Sequence, residues 1–182
     1  MYAFIVLLLA VLSRLLPHMM HGTGLNITAV GAGLLFFGSR RPRWQAVIAV
    51  AAIALSDVYL TKFVYGFPFH ISGYLVTWAW YGALCVISSD LLRKVTFLRV
   101  AAGVLVSATG FYVIVDFALW AMGSMYPHTL AGLGACYVAA LPFYGNDLVC
   151  TAGLSAVFFG LPVLAAKLVE MMHAARNHQT LQ

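Results

Sequence analysis

Continuous runs of apolar residues, each about as long as a membrane span, follow one another along most of the chain. Of its 182 residues, 63% are hydrophobic and only 8% are charged, whereas roughly a quarter of a typical soluble domain is charged. A helix needs about 20 residues to cross a bilayer, so this length accommodates six spans. Lipid favours helices because every backbone group is then paired internally, and the runs lack the alternation of barrel strands. The sequence therefore predicts an all-α integral membrane protein, a six-helix bundle.

Prolines, glycines and basic residues divide the apolar runs from one another. The predicted spans are Tyr2 to Leu16, Asn26 to Gly38, Trp44 to Tyr65, Ile71 to Leu92, Arg99 to Met122 and Asn146 to Met171. Glycine and proline interrupt the segment from Gly123 to Gly145, so only a short interfacial or re-entrant helix, Thr129 to Ala140, is expected between spans 5 and 6. Residues 1–172 are expected to form a single membrane domain, and residues 173–182 a polar cytoplasmic tail.

The basic residues predict the orientation of the bundle. Eight of the ten lysines and arginines lie in the loops after spans 2 and 4 or beside the end of span 6, and only Arg14 and Lys62 lie near the other side. Because cytoplasmic loops are enriched in lysine and arginine, both termini are predicted to be cytoplasmic in a bacterial inner membrane. The net charge of +5 then reflects topology, and no soluble basic face remains to bind nucleic acid.

Acidic residues inside the predicted spans indicate where function lies. A charged side chain at the bilayer centre costs at least about 2.5 kcal/mol, so such residues usually have a function. Asp90 and Glu170 lie at cytoplasmic span ends, where we expect surface ion pairs with the neighbouring cations of the same segment. Asp57, Asp116 and Asp147 all fall in the outer half of the predicted bundle, so they are the candidates for a binding site.

Aromatic and polar side chains recur at helical spacing on spans 4, 5 and 6. Each stripe has its most polar members near the outer end, which predicts a cavity that opens outward and has aromatic walls. The aromatic rings would stack on a flat ligand, and the carboxylates would bind donors or a cationic group. The candidate substrate-binding residues are Asp57, Tyr74, Trp78, Tyr81, Tyr112, Asp116, Trp120, His128, Asn146 and Asp147.

Simpler interpretations of the same residues stay open. Tyrosine and tryptophan near span ends also form the interfacial belt of membrane proteins, and Tyr81 also fits core packing. Asp57 also fits a structural pair with Lys62 or with a backbone donor. No metal and no cofactor is predicted: the weak candidates for metal ligands are His18, His21 and Cys85, and the cysteines show no CxxC spacing and fit small apolar fillers.

Several stretches resemble an uncharacterised family of bacterial predicted transport proteins. They are "RLLPH", "TAVGAGLLFFG", "ALSDVYL" and "LWAMGSMYPHTLAGLGACYVAALPFYGNDL". That family is itself similar to the substrate-binding S components of energy-coupling factor (ECF) vitamin transporters. The resemblance covers Arg14 to Gly160, and its most specific run is Tyr126 to Phe143. It implies a six-helix, S-component-like fold that binds a micronutrient from the outer side, with the three outer loops as lids.

The chain departs from the pattern of those proteins in two places. S components that dock on a shared energising module commonly have small residues four apart on the first helix, whereas Ala3 and Ala10 are seven apart here. Asp116 stands where the family typically has asparagine, so the pocket would carry an additional negative charge. The sequence contains no Walker motif, so any ATP-driven step would need another chain.

The leading hypothesis is a membrane-embedded binding and uptake protein for a vitamin-like micronutrient. One alternative is a small accessory subunit of a larger membrane complex, and a second is a component for divalent-metal uptake. An enzyme is not predicted, because the sequence shows no nucleophile–base spacing and no HExxH motif. Asp57 with His70 or His128 is the only acid–base pair worth testing. The expected partners are the lipid bilayer, the ligand, and an energising module or other membrane subunits.

Overall fold

The computed structural model describes residues 1–15 and 28–179, with side chains at all of these positions except 166, 168 and 173–179. This part of the chain contains six α-helices. These residues contain no β-strand, so the all-helical prediction is confirmed. Each helix overlaps one predicted span. They are α1 (Tyr2–Ser13), α2 (Val30–Arg40), α3 (Ala46–Tyr59), α4 (Leu75–Leu91), α5 (Phe97–Met122) and α6 (Leu130–Gln179).

Three continuous helical segments are long and apolar enough to cross a membrane. The first, Arg43–Val64, consists of a 3-10 turn, α3 and the π-helical turn Leu60–Val64. The others are Phe97–Met122 and Leu130–Met172. Helices α1 and α4 are apolar but shorter. The predicted end of span 1 at Leu16 and the start of span 2 at Asn26 lie outside the described residues.

The prediction of a separate short helix between spans 5 and 6 is wrong. Residues 130–179 form one helix of 50 residues that continues through Pro142 and Pro162. Each proline removes one backbone hydrogen bond, but membrane helices tolerate that loss where neighbouring helices pack against them. Tyr137 supplies such packing, because its hydroxyl donates to the Val113 carbonyl of α5 at 2.8 Å. Tertiary contact with α5 therefore outweighs the local effect of glycine and proline.

Helix α2 lies at the centre of the bundle and contacts the other five helices. All of its residues from Val30 to Gly38 are buried. A helix that is buried on every side has no solvent or lipid face, which fits the wholly apolar run from Val30 to Gly38. The centre of the fold is thus the shortest of the six helices, and a cavity lies beside its first turn, at Val30 and Gly31.

Glycines on three sides of α2 permit this close packing. A Cβ atom at Gly33 would collide with Ala10 of α1, and one at Gly38 would collide with the Cys85 backbone of α4. A Cβ atom at Gly31 would lie 2.8 Å from the Ser107 hydroxyl of α5 and would collide with Thr151 of α6. Small residues at such contacts let membrane helices approach until their backbones nearly touch. Each glycine thus fixes α2 against a different neighbour.

The bundle has a basic end, marked by Arg41, Arg43 and Arg99, and an opposite cavity end, marked by Arg14, Asp57 and Asp116. At the basic end the Arg41 guanidinium lies 4.8 Å from the centre of the Phe4 ring. Asp90 also lies at this end.

Asp90 forms an ion pair with Arg43. The expected partners of Asp90 were the cations of its own loop, but Arg43, which precedes α3, is the residue placed beside it. Both side chains are largely exposed.

Candidate binding site

The cavity lined by four of the predicted site residues, called the main cavity, lies at the cavity end between α2, α4, α5 and α6 and has a volume of about 210 Å³. A water molecule in the liquid takes up about 30 Å³, so this space suits a small organic molecule rather than a large cofactor. A corrinoid of the cobalamin type is too large for it. The cavity is lined by Thr28, Val30, Gly31, Trp80, Tyr81, Ser107, Ala108, Phe111, Tyr112, Asp116, Ala140, Phe143, Tyr144 and Asp147.

Two carboxylates supply the charge of the main cavity. The carboxylate of Asp116, on α5, has no hydrogen bond or ion pair with any described residue, and only the Asp116 backbone carbonyl accepts a bond, from the Cys136 thiol at 3.6 Å. Asp147 comes from α6, where its Oδ1 accepts a long hydrogen bond of 3.4 Å from the Thr151 hydroxyl. None of the described lining residues is basic. The cavity thus contains acceptors that the surrounding described side chains leave largely unused.

Paired aromatic rings form much of the wall. Tyr81 of α4 stacks on Phe111 of α5 with 5.8 Å between ring centres. Tyr112 of α5 and Tyr144 of α6 lie 4.9 Å apart. The Tyr112 hydroxyl donates to the Tyr137 carbonyl at 2.9 Å, so it is bound outside the cavity.

The Tyr144 hydroxyl is likewise engaged elsewhere, 3.2 Å from the Thr109 hydroxyl. With their hydroxyls bound to protein, Tyr112 and Tyr144 contribute mainly ring surface to the cavity.

Trp80 also lines the main cavity and is only 9% exposed. Its indole ring packs against Gly110, where a Cβ atom would collide with the ring. The indole N–H is buried and has no acceptor among the described residues. Most buried polar groups are hydrogen-bonded, so this donor is an exception at the wall of a cavity.

A side cavity of about 230 Å³ lies next to the main one and shares Thr28 with it. It is bordered by Arg14, Asp57 and the π-helical turn that follows α3. Turns of this kind occur often at functional sites. The hydroxyls of Thr61, in that turn, and Tyr74 lie 2.8 Å apart.

Asp57 has both of its carboxylate oxygens occupied. One forms an ion pair with Arg14, which is 19% exposed, while Asp57 itself is 4% exposed. The other accepts a hydrogen bond of 2.7 Å from the Trp78 indole N–H. Arg14 also donates to the Ser56 hydroxyl at 2.6 Å. Of the two pairings considered from the sequence, Lys62 and a backbone donor, neither is present among the described contacts: a network from α1 and α4 takes their place.

The ten predicted site residues separate into distinct places. Four of these residues line the main cavity and two line the side cavity. A seventh is hydrogen-bonded to a residue of the side cavity, and the other three lie elsewhere. Those of the main cavity are Tyr81, Tyr112, Asp116 and Asp147, and those at the side cavity are Asp57, Tyr74 and Trp78.

Trp120, His128 and Asn146 line neither cavity. Trp120 donates to the Pro127 carbonyl at 3.0 Å, and its ring meets His128 edge-on at 5.7 Å. Asn146 is half-buried on α6. These three residues therefore do not contribute to the walls of either cavity.

Several of the charged or aromatic residues that line the cavities are absent from the predicted site. Arg14 was treated as a topology marker, and the helical spacing of span 1 gives no sign of its partner. Trp80 lies between the predicted Trp78 and Tyr81 but off the stripe that they define. Phe143 and Tyr144 lie in the segment taken for an interrupted loop, and only its helical continuity brings them to the wall.

The candidate metal ligands do not assemble within the described part of the chain. No group of three or more His, Cys, Asp or Glu side chains there is arranged to bind a metal ion. Cys85 is buried against the Leu34 carbonyl at 3.9 Å and lines neither cavity. His18 and His21 lie outside the described residues.

No curated protein and no solved structure matches the chain. The family model that matches is that of a family of unknown function, DUF6580, and the match spans residues 1–174, nearly the whole chain. The chain therefore belongs to the DUF6580 family.

Proposed function

We propose that the chain is a six-span protein of a bacterial inner membrane that captures a small micronutrient from the outer side for uptake. The main cavity carries this proposal, because it combines a partly enclosed space of about 210 Å³, aromatic walls and two sparsely bonded carboxylates. Ligand sites are typically concave and mostly apolar, with a few polar groups that fix orientation. The resemblance to S components of ECF transporters suggests the same class of function.

The arrangement of charge supports the proposed orientation. Arg41, Arg43 and Arg99 lie at the basic end, whereas both cavities lie at the cavity end. By the positive-inside rule, the basic end faces the cytoplasm and the cavities open towards the outer side. Large apolar side chains exposed along α1, α3, α5 and α6 suit contact with lipid.

In the proposed mode of uptake, an energising module does not dock on α1. Ala3 and Ala10 are both buried, and Ala10 lies against Gly33 of α2. The small residues of α1 are thus used inside the chain. A module that supplies energy would therefore bind at another surface, and the basic end is the one that would face it.

Thermal unfolding of the detergent-purified protein tests the proposal. A panel of vitamins and divalent metal ions is screened for stabilisation, which reaches about 2.7 kcal/mol when the ligand is at a hundred times its Kd. Ala140→Phe places a ring in the cavity and is expected to abolish the stabilisation. Val138→Phe, at an exposed position two residues away, is the matched control. No stabilisation by any compound, or equal stabilisation of the Ala140→Phe variant, would contradict the proposal.

A second candidate function is an accessory subunit of a larger membrane complex. Ala152, Ala156 and Gly160 form a stripe of small residues on α6, and all three are exposed. Gly103 and Ser107 of α5, by contrast, are buried within the bundle. Such a stripe suits close contact with a helix of another chain. Co-purification of a partner protein that Gly160→Leu removes would favour this function, and a stable lone chain in mild detergent would argue against it.

A further inference from the structure

We infer that the ligand of the main cavity is a small organic cation with an aromatic ring and a hydrogen-bond acceptor. The inference rests on the proposed binding function and adds the chemical class of the ligand. Asp57 is bonded to Arg14 and Trp78, and Asp90 is paired with Arg43.

Asp116 and Asp147 have no such cation. The Asp116 carboxylate has no partner among the described residues, and the Asp147 carboxylate has only the long contact with Thr151. Carboxylates within membrane helices almost always pair with another group. A positive charge delivered by the ligand would complete the pairing that Arg14 and Arg43 supply elsewhere.

The walls of the cavity favour the same class of ligand. Tyr112 and Tyr144 contribute ring surface, since their hydroxyls are bound to protein groups outside the cavity. Aromatic faces attract cations, and cages of such rings are a known means of binding organic ammonium groups. The rings also stack on a flat ligand. An inorganic cation would leave most of this surface without a contact.

Trp80 gives a separate indication of a ligand. Its indole N–H is a buried donor at the cavity wall without an acceptor among the described residues. The nitrogen has almost no exposed surface as the ring stands, so a small rotation of the indole towards the cavity would bring it to an acceptor atom in the ligand ring, whereas a purely hydrocarbon ring would offer it none. The ligand therefore carries its positive charge on one part and an acceptor on another.

Three probes of nearly equal shape separate the effect of charge. They are 3-pyridylmethylammonium, 3-pyridylmethanol and pyridine-3-carboxylate. All three have the same pyridine ring, and their substituents are positively charged, neutral and negatively charged, respectively. Calorimetric titration of the purified full-length chain is expected to give the tightest binding for the cation. Asp116→Asn and Asp147→Asn are each expected to weaken that binding about tenfold to a hundredfold, as expected for loss of a charge-assisted hydrogen bond. Asp90→Asn, at the basic end, is expected to leave it unchanged.

Benzylammonium, which lacks the ring acceptor, tests the role of Trp80. The pyridyl cation is expected to bind more tightly than benzylammonium, and Trp80→Phe is expected to remove that difference. An equal difference in the Trp80→Phe variant would overturn the assignment of the acceptor.

The outcomes distinguish this inference from the proposed function. Tighter binding of the alcohol or the carboxylate, abolished by Ala140→Phe, would overturn the cationic class and leave the binding function standing. Cation binding that persists in both asparagine variants would also overturn it. No binding of any probe, in a protein that a vitamin stabilises, would overturn the class alone. No binding and no stabilisation by any compound would overturn both.

Discussion

Arg14, at the end of α1, forms an ion pair with Asp57, which lies 43 residues further along the chain near the end of α3. The pair is mostly shielded from solvent, and Trp78 of α4 donates to the same carboxylate. Three helices are thus joined at one carboxylate beside the side cavity. The pair explains how the fold accommodates an acidic residue that is 4% exposed.

Arg14→Met is expected to destabilise the protein by about 3 kcal/mol, because removing one partner of a shielded pair leaves the other charge unpaired. Arg43→Met is the matched control, since the Arg43–Asp90 pair is 60% and 53% exposed. Exposed pairs contribute at most about 1 kcal/mol. Thermal unfolding in one detergent measures both, and equal losses would contradict the structural role of Arg14.

Trp78→Phe is expected to cost about 1.5–3 kcal/mol, the usual value of a hydrogen bond to a charged group. The change removes the donor to Asp57 and keeps a ring that can stack on Tyr74, whose centre lies 5.9 Å away. Trp120→Phe removes an exposed hydrogen bond to the Pro127 carbonyl and is expected to cost less. If Trp120→Phe lowers the stability of the protein more than Trp78→Phe does, the proposed role of the Trp78–Asp57 hydrogen bond is contradicted.

Gly38→Ala is expected to destabilise the protein by about 1–3 kcal/mol, because the added carbon overpacks a contact between helices. It would collide with the Cys85 backbone, which cannot move aside as a side chain does. Gly160→Ala is the control, since no atom lies within 4 Å of the added carbon. Helical alanine is favoured over glycine, so this second variant is expected to be neutral or slightly more stable. Similar destabilisation of both variants would contradict the central position of α2.

Cysteine labelling tests the proposed orientation. His70 and Arg99 are both exposed, at the cavity end and the basic end respectively. In a Cys150→Ala background, with Cys85 and Cys136 buried, a membrane-impermeant maleimide is expected to label His70→Cys in intact cells. Arg99→Cys is expected to react only after the membrane is opened. The reverse pattern would invert the proposed topology.

Much of the fold follows from local properties of the sequence. The apolar runs predict the helices, because the number of consecutive apolar residues decides what can be buried in lipid. The convergence of Tyr81, Tyr112, Asp116 and Asp147 was also predictable. Helical spacing fixes which residues share a face, and alternating topology brings their ends to one side of the bundle.

The remaining features depend on how the helices pack. The partner of Asp57 is Arg14 rather than Lys62, because the contact of α1 with α3 decides it and sequence distance does not. Phe143 and Tyr144 were missed because glycine and proline around them predicted a break. Contacts with α5 keep that segment helical, and proline in a membrane helix is a weaker break than in water.

Native mass spectrometry of the detergent-purified chain tests the binding function most directly. The wild-type protein and Val138→Phe are expected to retain a small, non-covalently bound molecule whose mass fits a cavity of about 210 Å³. Ala140→Phe is expected to lose that molecule while remaining folded. A wild-type protein without any bound small molecule under added vitamins and organic cations, or an adduct retained equally by Ala140→Phe, would contradict a binding site in this cavity.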